Sequence, residues 1–111
     1  MKNFAYYRPK SAKEAVALLD DKWGTSELLA GGTDLLDLQK EYIAQPDKVV
    51  SVRDIAHFTE GPEIYPGGTM KFAAGVRLKT LALSMEVNHT FPALATAAGD
   101  IGGPQIRNMG T

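Results

Sequence analysis

Along the first half of the chain the apolar positions alternate between short runs and helical spacing. Phe4 to Tyr7 is an aromatic run that predicts a first strand, interrupted by Arg8-Pro9-Lys10. Ser11 and Glu14 then make a capping box, in which hydroxyl and carboxylate satisfy the N–H groups that open a helix. Ala12, Ala15, Val16, Leu18 and Leu19 give that helix an apolar face, and Gly24 follows as its stop. Glu27 to Ala30 predicts a second strand, which runs into the turn Gly31-Gly32. Leu35, Leu36, Leu38, Tyr42 and Ile43 recur at helical spacing until Gln45-Pro46-Asp47 ends the pattern. Lys48 to Val52, rich in valine, predicts a third strand. Strand–helix–strand–helix–strand in so short a span implies a small three-stranded parallel sheet with right-handed crossovers.

From Arg53 the character changes. Gly61-Pro62 and Pro66-Gly67-Gly68 are turn signals around a brief strand, Glu63 to Tyr65, with Met70 to Ala74 as its antiparallel partner. Leu78 to Met85 reads as helical. Asn88-His89-Thr90 leads into a helix from Pro92 through Leu94, Ala95 and Ala98, since proline is tolerated in a first turn. The lobe boundary falls near Ile55 to Gly61. Residues 1–57 are thus expected to form an α/β lobe, and residues 58–111 to open a second, mainly antiparallel α+β lobe.

Composition narrows the partners. In 111 residues the formal net charge is −1, so no basic surplus points to nucleic acid or anionic lipid. Cysteine is absent, which excludes disulfides, thiolate catalysis and cysteine-held clusters from this chain. The opening Met1-Lys2-Asn3-Phe4-Ala5 has no signal-peptide core, and no run is long enough to span a membrane. A cytoplasmic protein is the expectation.

Two stretches carry candidate chemistry. In Leu28-Leu29-Ala30-Gly31-Gly32-Thr33-Asp34-Leu35 a strand turns sharply into a helix, leaving backbone N–H groups unpaired where the helix dipole favours negative charge. Adjacent glycines lack the Cβ atoms that would keep phosphates away. Thr33 can cap the helix or donate its hydroxyl to a phosphate oxygen. The stretch reads either as a pyrophosphate cradle or, more commonly for Gly-Gly, as a tight connection. It matches neither G-x-G-x-x-G nor the P-loop, and Asp34 would repel a phosphate unless it points away or binds sugar. The tail from Ile101-Gly102-Gly103 through Arg107-Asn108 to Gly110-Thr111 is the second stretch. Its glycines let the backbone approach another group closely and Arg107 and Asn108 supply side-chain hydrogen bonds, although taken alone a polar loop after a helix is the slightly favoured reading. His57 and His89 stand without a carboxylate pattern, Trp23 reads as packing a helix end, and no serine sits in a nucleophile elbow.

Together these stretches resemble the FAD-binding medium subunit of the molybdenum hydroxylases, the xanthine dehydrogenase and carbon monoxide dehydrogenase type. Phe4-x-Tyr6-x-x-Pro9 with Ser11-x-x-Glu14-Ala15 is similar to that family's start. Ala30-Gly31-Gly32-Thr33-Asp34-Leu35 resembles its first FAD pyrophosphate loop. Ala73-Ala74-Gly75-Val76-Arg77-Leu78 resembles its G-A-x-x-[RT]-L segment, with Ala73 in place of the first glycine. Phe91-Pro92-Ala93-Leu94 and Pro104-Gln105-Ile106-Arg107-Asn108-Met109-Gly110-Thr111 resemble two further runs, in the right order along nearly the whole chain.

The resemblance implies an FAD-binding fold of the vanillyl-alcohol-oxidase/PCMH type, with FAD between two lobes. It places Leu29, Ala30, Gly31, Gly32, Thr33, Asp34 and Leu35 around the FAD pyrophosphate. Ile101 and Gly102 match positions beside the flavin nucleotide, and Ile106, Gly110 and Thr111 the approach to a second FAD loop. No catalytic or metal residue is implied. The implied partners are an iron–sulfur subunit, a molybdenum-cofactor subunit, and an acceptor such as NAD. The match stops at the threonine of the family's second loop, so the chain is expected to be an N-terminal, truncated part, inactive as an oxidoreductase on its own. The competing expectation is a non-catalytic fragment acting by self-association, as a homo-oligomer covering the edge near Met70 to Ala74.

Overall fold

The valine-rich run Lys48–Ser51 is the middle strand of a parallel sheet in the computed structural model, which describes all 111 residues. The chain forms two units, Met1–Ala56 and His57–Thr111.

In the first unit the elements run β1 (Ala5–Tyr7), α1 (Ala12–Leu18), β2 (Ser26–Leu29), α2 (Leu35–Lys40) and β3 (Lys48–Ser51). The sheet order is β1-β3-β2 with both pairings parallel, placing Tyr6 and Glu27 on either side of Val49. A central parallel strand is covered on both faces, which explains a continuous apolar run instead of alternation. Val49 and Val50 are fully buried, and Val52 nearly so.

Ser11 caps α1 as expected, Glu14 N–H donating to its Oγ at 3.2 Å, while the Glu14 carboxylate accepts from Lys10 N–H at 2.9 Å, one residue before the cap position of a strict capping box. Of the expected apolar face of α1, Ala15 is buried and Leu18 and Leu19 are half-buried, whereas Ala12 and Val16 are exposed. At about 100° per residue, Ala12 and Val16 sit at one margin of the stripe, beyond what the sheet covers.

Helix α2 is shorter than its pattern predicts. Tyr42 adopts φ +59°, Ile43 N–H reaches Leu38 O at 2.9 Å, and Tyr42 N–H reaches Gln39 O at 3.2 Å. This is a Schellman closure with a tyrosine in the left-handed position. Tyr42 and Ile43, expected on the helix's apolar face, are therefore exposed in its cap. The Gln39 amide and Ser51 hydroxyl are buried and pair with no group of the chain.

The second unit opens with β4 (Glu63–Ile64) and β5 (Met70–Lys71), antiparallel as expected but two residues each. Four helices follow: α3 (Leu78–Leu83), α4 (Met85–Thr90), α5 (Pro92–Asp100) and α6 (Pro104–Met109). Val76, Leu81, Val87, Ala95 and Ala98 form the core, with Leu78, Ala82 and Leu94 packed against it.

Two helices depart from the sequence reading. Ser84 ends α3 and caps α4, accepting from Val87 N–H at 3.3 Å, so His89 and Thr90 are helical rather than a lead-in. The tail, read as a polar loop, contains α6: Pro104 occupies its first turn and Arg107 N–H reaches Gly103 O at 3.1 Å. No helix is long and apolar enough to cross a membrane.

Candidate functional site

Strand β2 ends at Leu29, whose carbonyl accepts from Val52 N–H at 3.0 Å, the last rung joining it to the chain beyond β3. The backbone then turns through Ala30, Gly31 and Gly32 before α2 begins. The carbonyls of this turn are engaged. Arg53 donates from Nε to Ala30 O at 2.7 Å and from Nη2 to Gly31 O at 3.1 Å. Gly32 O accepts from Leu36 N–H, and Asp34 O from Leu38 N–H, each at 3.1 Å. The N–H groups of Gly31, Gly32, Thr33 and Asp34 donate to nothing within the chain. A backbone whose acceptors are satisfied and whose donors are free is chemically suited to an anion. The arrangement fits a pyrophosphate.

Gly32 adopts φ +81°, and a Cβ there would lie 3.0 Å from Leu29 Cδ1 and 3.2 Å from Leu36 Cδ1. Its missing side chain thus matters to the turn's own packing and conformation. Thr33 does not cap α2: the cap position is Asp34, which makes no side-chain capping bond. The Asp34 side chain is exposed, and α2 has only six residues, so a helix dipole adds little at this turn beside its own N–H groups.

In the second unit Ile101 ends α5 and is half exposed, and Gly102 adopts φ +53°. Arg107 donates from Nη1 to Ile101 O at 3.2 Å and to Gly102 O at 2.6 Å. Ile106 lies on α6 against Gly102, where a Cβ would sit 2.9 Å from the Ile106 Cβ. Gly110 is buried, and its carbonyl accepts from Leu78 N–H at 2.9 Å, tying the tail to the start of α3. Thr111 is exposed.

Arg107, expected from the sequence to supply side-chain hydrogen bonds in the tail, does so within its own stretch; Arg53 does not stand out in the sequence as a partner of a loop. Arg53 is 22 or more residues from the carbonyls it meets, and only the parallel β2–β3 pairing brings it there. Nearby, Asp54 accepts from Lys10 Nζ at 2.9 Å and pairs with Arg8 at 2.8 Å. The Lys10 hydrogen bond, with Arg8 beside it, holds the Asp54 carboxyl below the usual carboxylate range. The remaining candidates stay apart from the loops. His57 pairs with the Glu60 carboxylate at the surface, and no cluster of His, Asp or Glu could hold a metal. Trp23 packs against nothing: it is 94% exposed, because the turn after α1 carries it outward.

Residues 2–111 match the family described as the FAD binding domain in molybdopterin dehydrogenase. The chain belongs to that family. It is 39% identical to the carbon monoxide dehydrogenase medium chain of Hydrogenophaga pseudoflava, over 97% of this chain and 37% of that one. It is 31% identical to the xanthine dehydrogenase FAD-binding subunit of Escherichia coli O157:H7, over 96% of this chain and 36% of that subunit. The solved carbon monoxide dehydrogenase of Oligotropha carboxidovorans superposes with a TM-score of 0.88 at 34% identity, covering 98% of this chain and 37% of that one. The chain therefore spans a little over a third of the length of these relatives, within an α/β FAD-binding fold.

Proposed function

We propose that this chain supplies an FAD-binding portion of a molybdenum hydroxylase-type oxidoreductase complex. Leu29, Ala30, Gly31, Gly32, Thr33, Asp34 and Leu35 would hold the FAD pyrophosphate, chiefly through N–H groups. Ile101 and Gly102 would lie beside the nucleotide, and Ile106, Gly110 and Thr111 would lead toward a further flavin loop. When bound, FAD would supply two-electron redox chemistry, receiving electrons from an iron–sulfur subunit and passing them to an acceptor such as NAD. A molybdenum-cofactor subunit would carry the substrate chemistry. The cytoplasm is the compartment this reading favours.

The observation that carries the reading is the polarity of the turn after β2. Its carbonyls are bonded by Arg53 and by the first turn of α2, while the N–H groups of Gly31 to Asp34 are free. A flavin fluorescence titration of the chain tests it. Saturable quenching by the protein is expected with FAD, with riboflavin, which lacks the pyrophosphate, binding far more weakly. Equal affinity for the two, or no saturable change, would remove the pyrophosphate loop from the account.

A further inference from the structure

We propose that Arg53 and Arg107 are positioning residues, each setting a flavin loop by drawing two successive backbone carbonyls to one side; the proposal rests on the FAD reading above. Arg53 spans Ala30 O and Gly31 O with two different nitrogens, at 2.7 and 3.1 Å. Arg107 spans Ile101 O and Gly102 O with one nitrogen, at 3.2 and 2.6 Å. In a planar trans peptide the carbonyl and the following N–H point in opposite directions. Pulling Ala30 O and Gly31 O toward a guanidinium therefore turns the N–H groups of Gly31 and Gly32 the other way. The same holds for Gly102 and Gly103 in the second unit. Both segments contain a glycine with left-handed φ, Gly32 at +81° and Gly102 at +53°, which allows the chain to reverse just there.

Neither arginine is taken up by a carboxylate. The acid next to Arg53 in sequence, Asp54, is already paired with Arg8 and Lys10, and Arg107 forms no ion pair. Each guanidinium is thus free to serve the backbone; the planar fork of Arg53 reaches two neighbouring oxygens from two nitrogens, and the Arg107 group reaches its pair from a single planar nitrogen whose donors are fixed in direction. The device makes the loops donors before a ligand arrives, so less ordering remains to be done on binding.

The test uses the full chain and the variants Arg53→Lys and Arg107→Lys, which keep the charge and lose the planar group. FAD and riboflavin are titrated by fluorescence, thermal melting is recorded, and backbone 15N order parameters are measured without flavin. Arg53→Lys is expected to weaken FAD binding about tenfold or more, leave riboflavin affinity unchanged, keep a cooperative melt at a slightly lower temperature, and lower the order parameters of Gly31 and Gly32. Arg107→Lys should lower those of Gly102 and Gly103 and weaken FAD in the same direction. If the wild type binds FAD and the lysine variants bind it equally well, charge suffices and this proposal alone is overturned. Weakened binding with unchanged order parameters would make the arginines direct ligands instead, which also overturns it. A wild-type chain that binds no FAD overturns the flavin reading itself, and the positioning role falls with it.

Discussion

At the scale of single residues, the first candidate loop depends on what Gly32 permits and on what Thr33 leaves free. Gly32 stands at φ +81° with Leu29 and Leu36 side chains where a Cβ would go. Gly32→Ala is therefore expected to destabilise the first unit by about 1–2 kcal/mol from the left-handed backbone alone, and to weaken FAD binding by disordering the turn. Thr33→Ala removes no bond within the chain, so melting should stay where it is while FAD affinity falls through loss of one hydroxyl donor. Melting curves beside flavin titrations separate the two. Equal loss of stability in both variants would contradict the assignment. The turn at Gly31-Gly32 was legible because adjacent glycines separate an apolar run from a helical pattern, whereas its reading as a flavin loop came only from the resemblance of the longer stretches. Arg53 was not legible, since nothing in its neighbours announces a partner more than 20 residues upstream. Thr33's capping role failed because the first helical carbonyl partners start from Gly32 and Asp34 instead.

At the scale of elements, hydrophobic period and caps gave the parallel sheet, because a buried middle strand leaves a valine run and Ser11 with Glu14 marks a helix start. The errors fall where a helix ends or begins without a strong signal. Leu35 to Ile43 keeps helical spacing in sequence, yet the chain closes after Lys40 through Tyr42 at φ +59°. Spacing alone cannot see that closure, because the usual glycine marker is absent. Tyr42→Gly is accordingly expected to stabilise the first unit by about 1 kcal/mol, by relieving the left-handed strain of an exposed side chain; denaturant unfolding measures it. A loss of stability would mean that the tyrosine ring contributes packing that outweighs the strain. Helix α4 was hidden because one serine, Ser84, both ends α3 and starts the next helix. Helix α6 was hidden by its polar content, although Gly103 before Pro104 and Arg107 in the last turn are start and stop signals for a short helix.

At the scale of the whole molecule, each unit carries its own apolar centre, Val49 and Val50 in the first and the Val76–Leu81–Val87 cluster in the second. Net charge near zero adds no long-range pull on an anionic cofactor, and in the proposed function recognition therefore rests on local donors, the free N–H groups of the turn foremost. Amide chemical-shift mapping measures whether those N–H groups meet the pyrophosphate. On adding FAD to the 15N-labelled chain, the largest shifts should fall on the N–H groups of Gly31, Gly32, Thr33 and Asp34, and riboflavin at equal concentration should leave those four unmoved. Shifts with riboflavin as large as with FAD at those amides, or FAD shifts that bypass Gly31 to Asp34 altogether, would contradict that role.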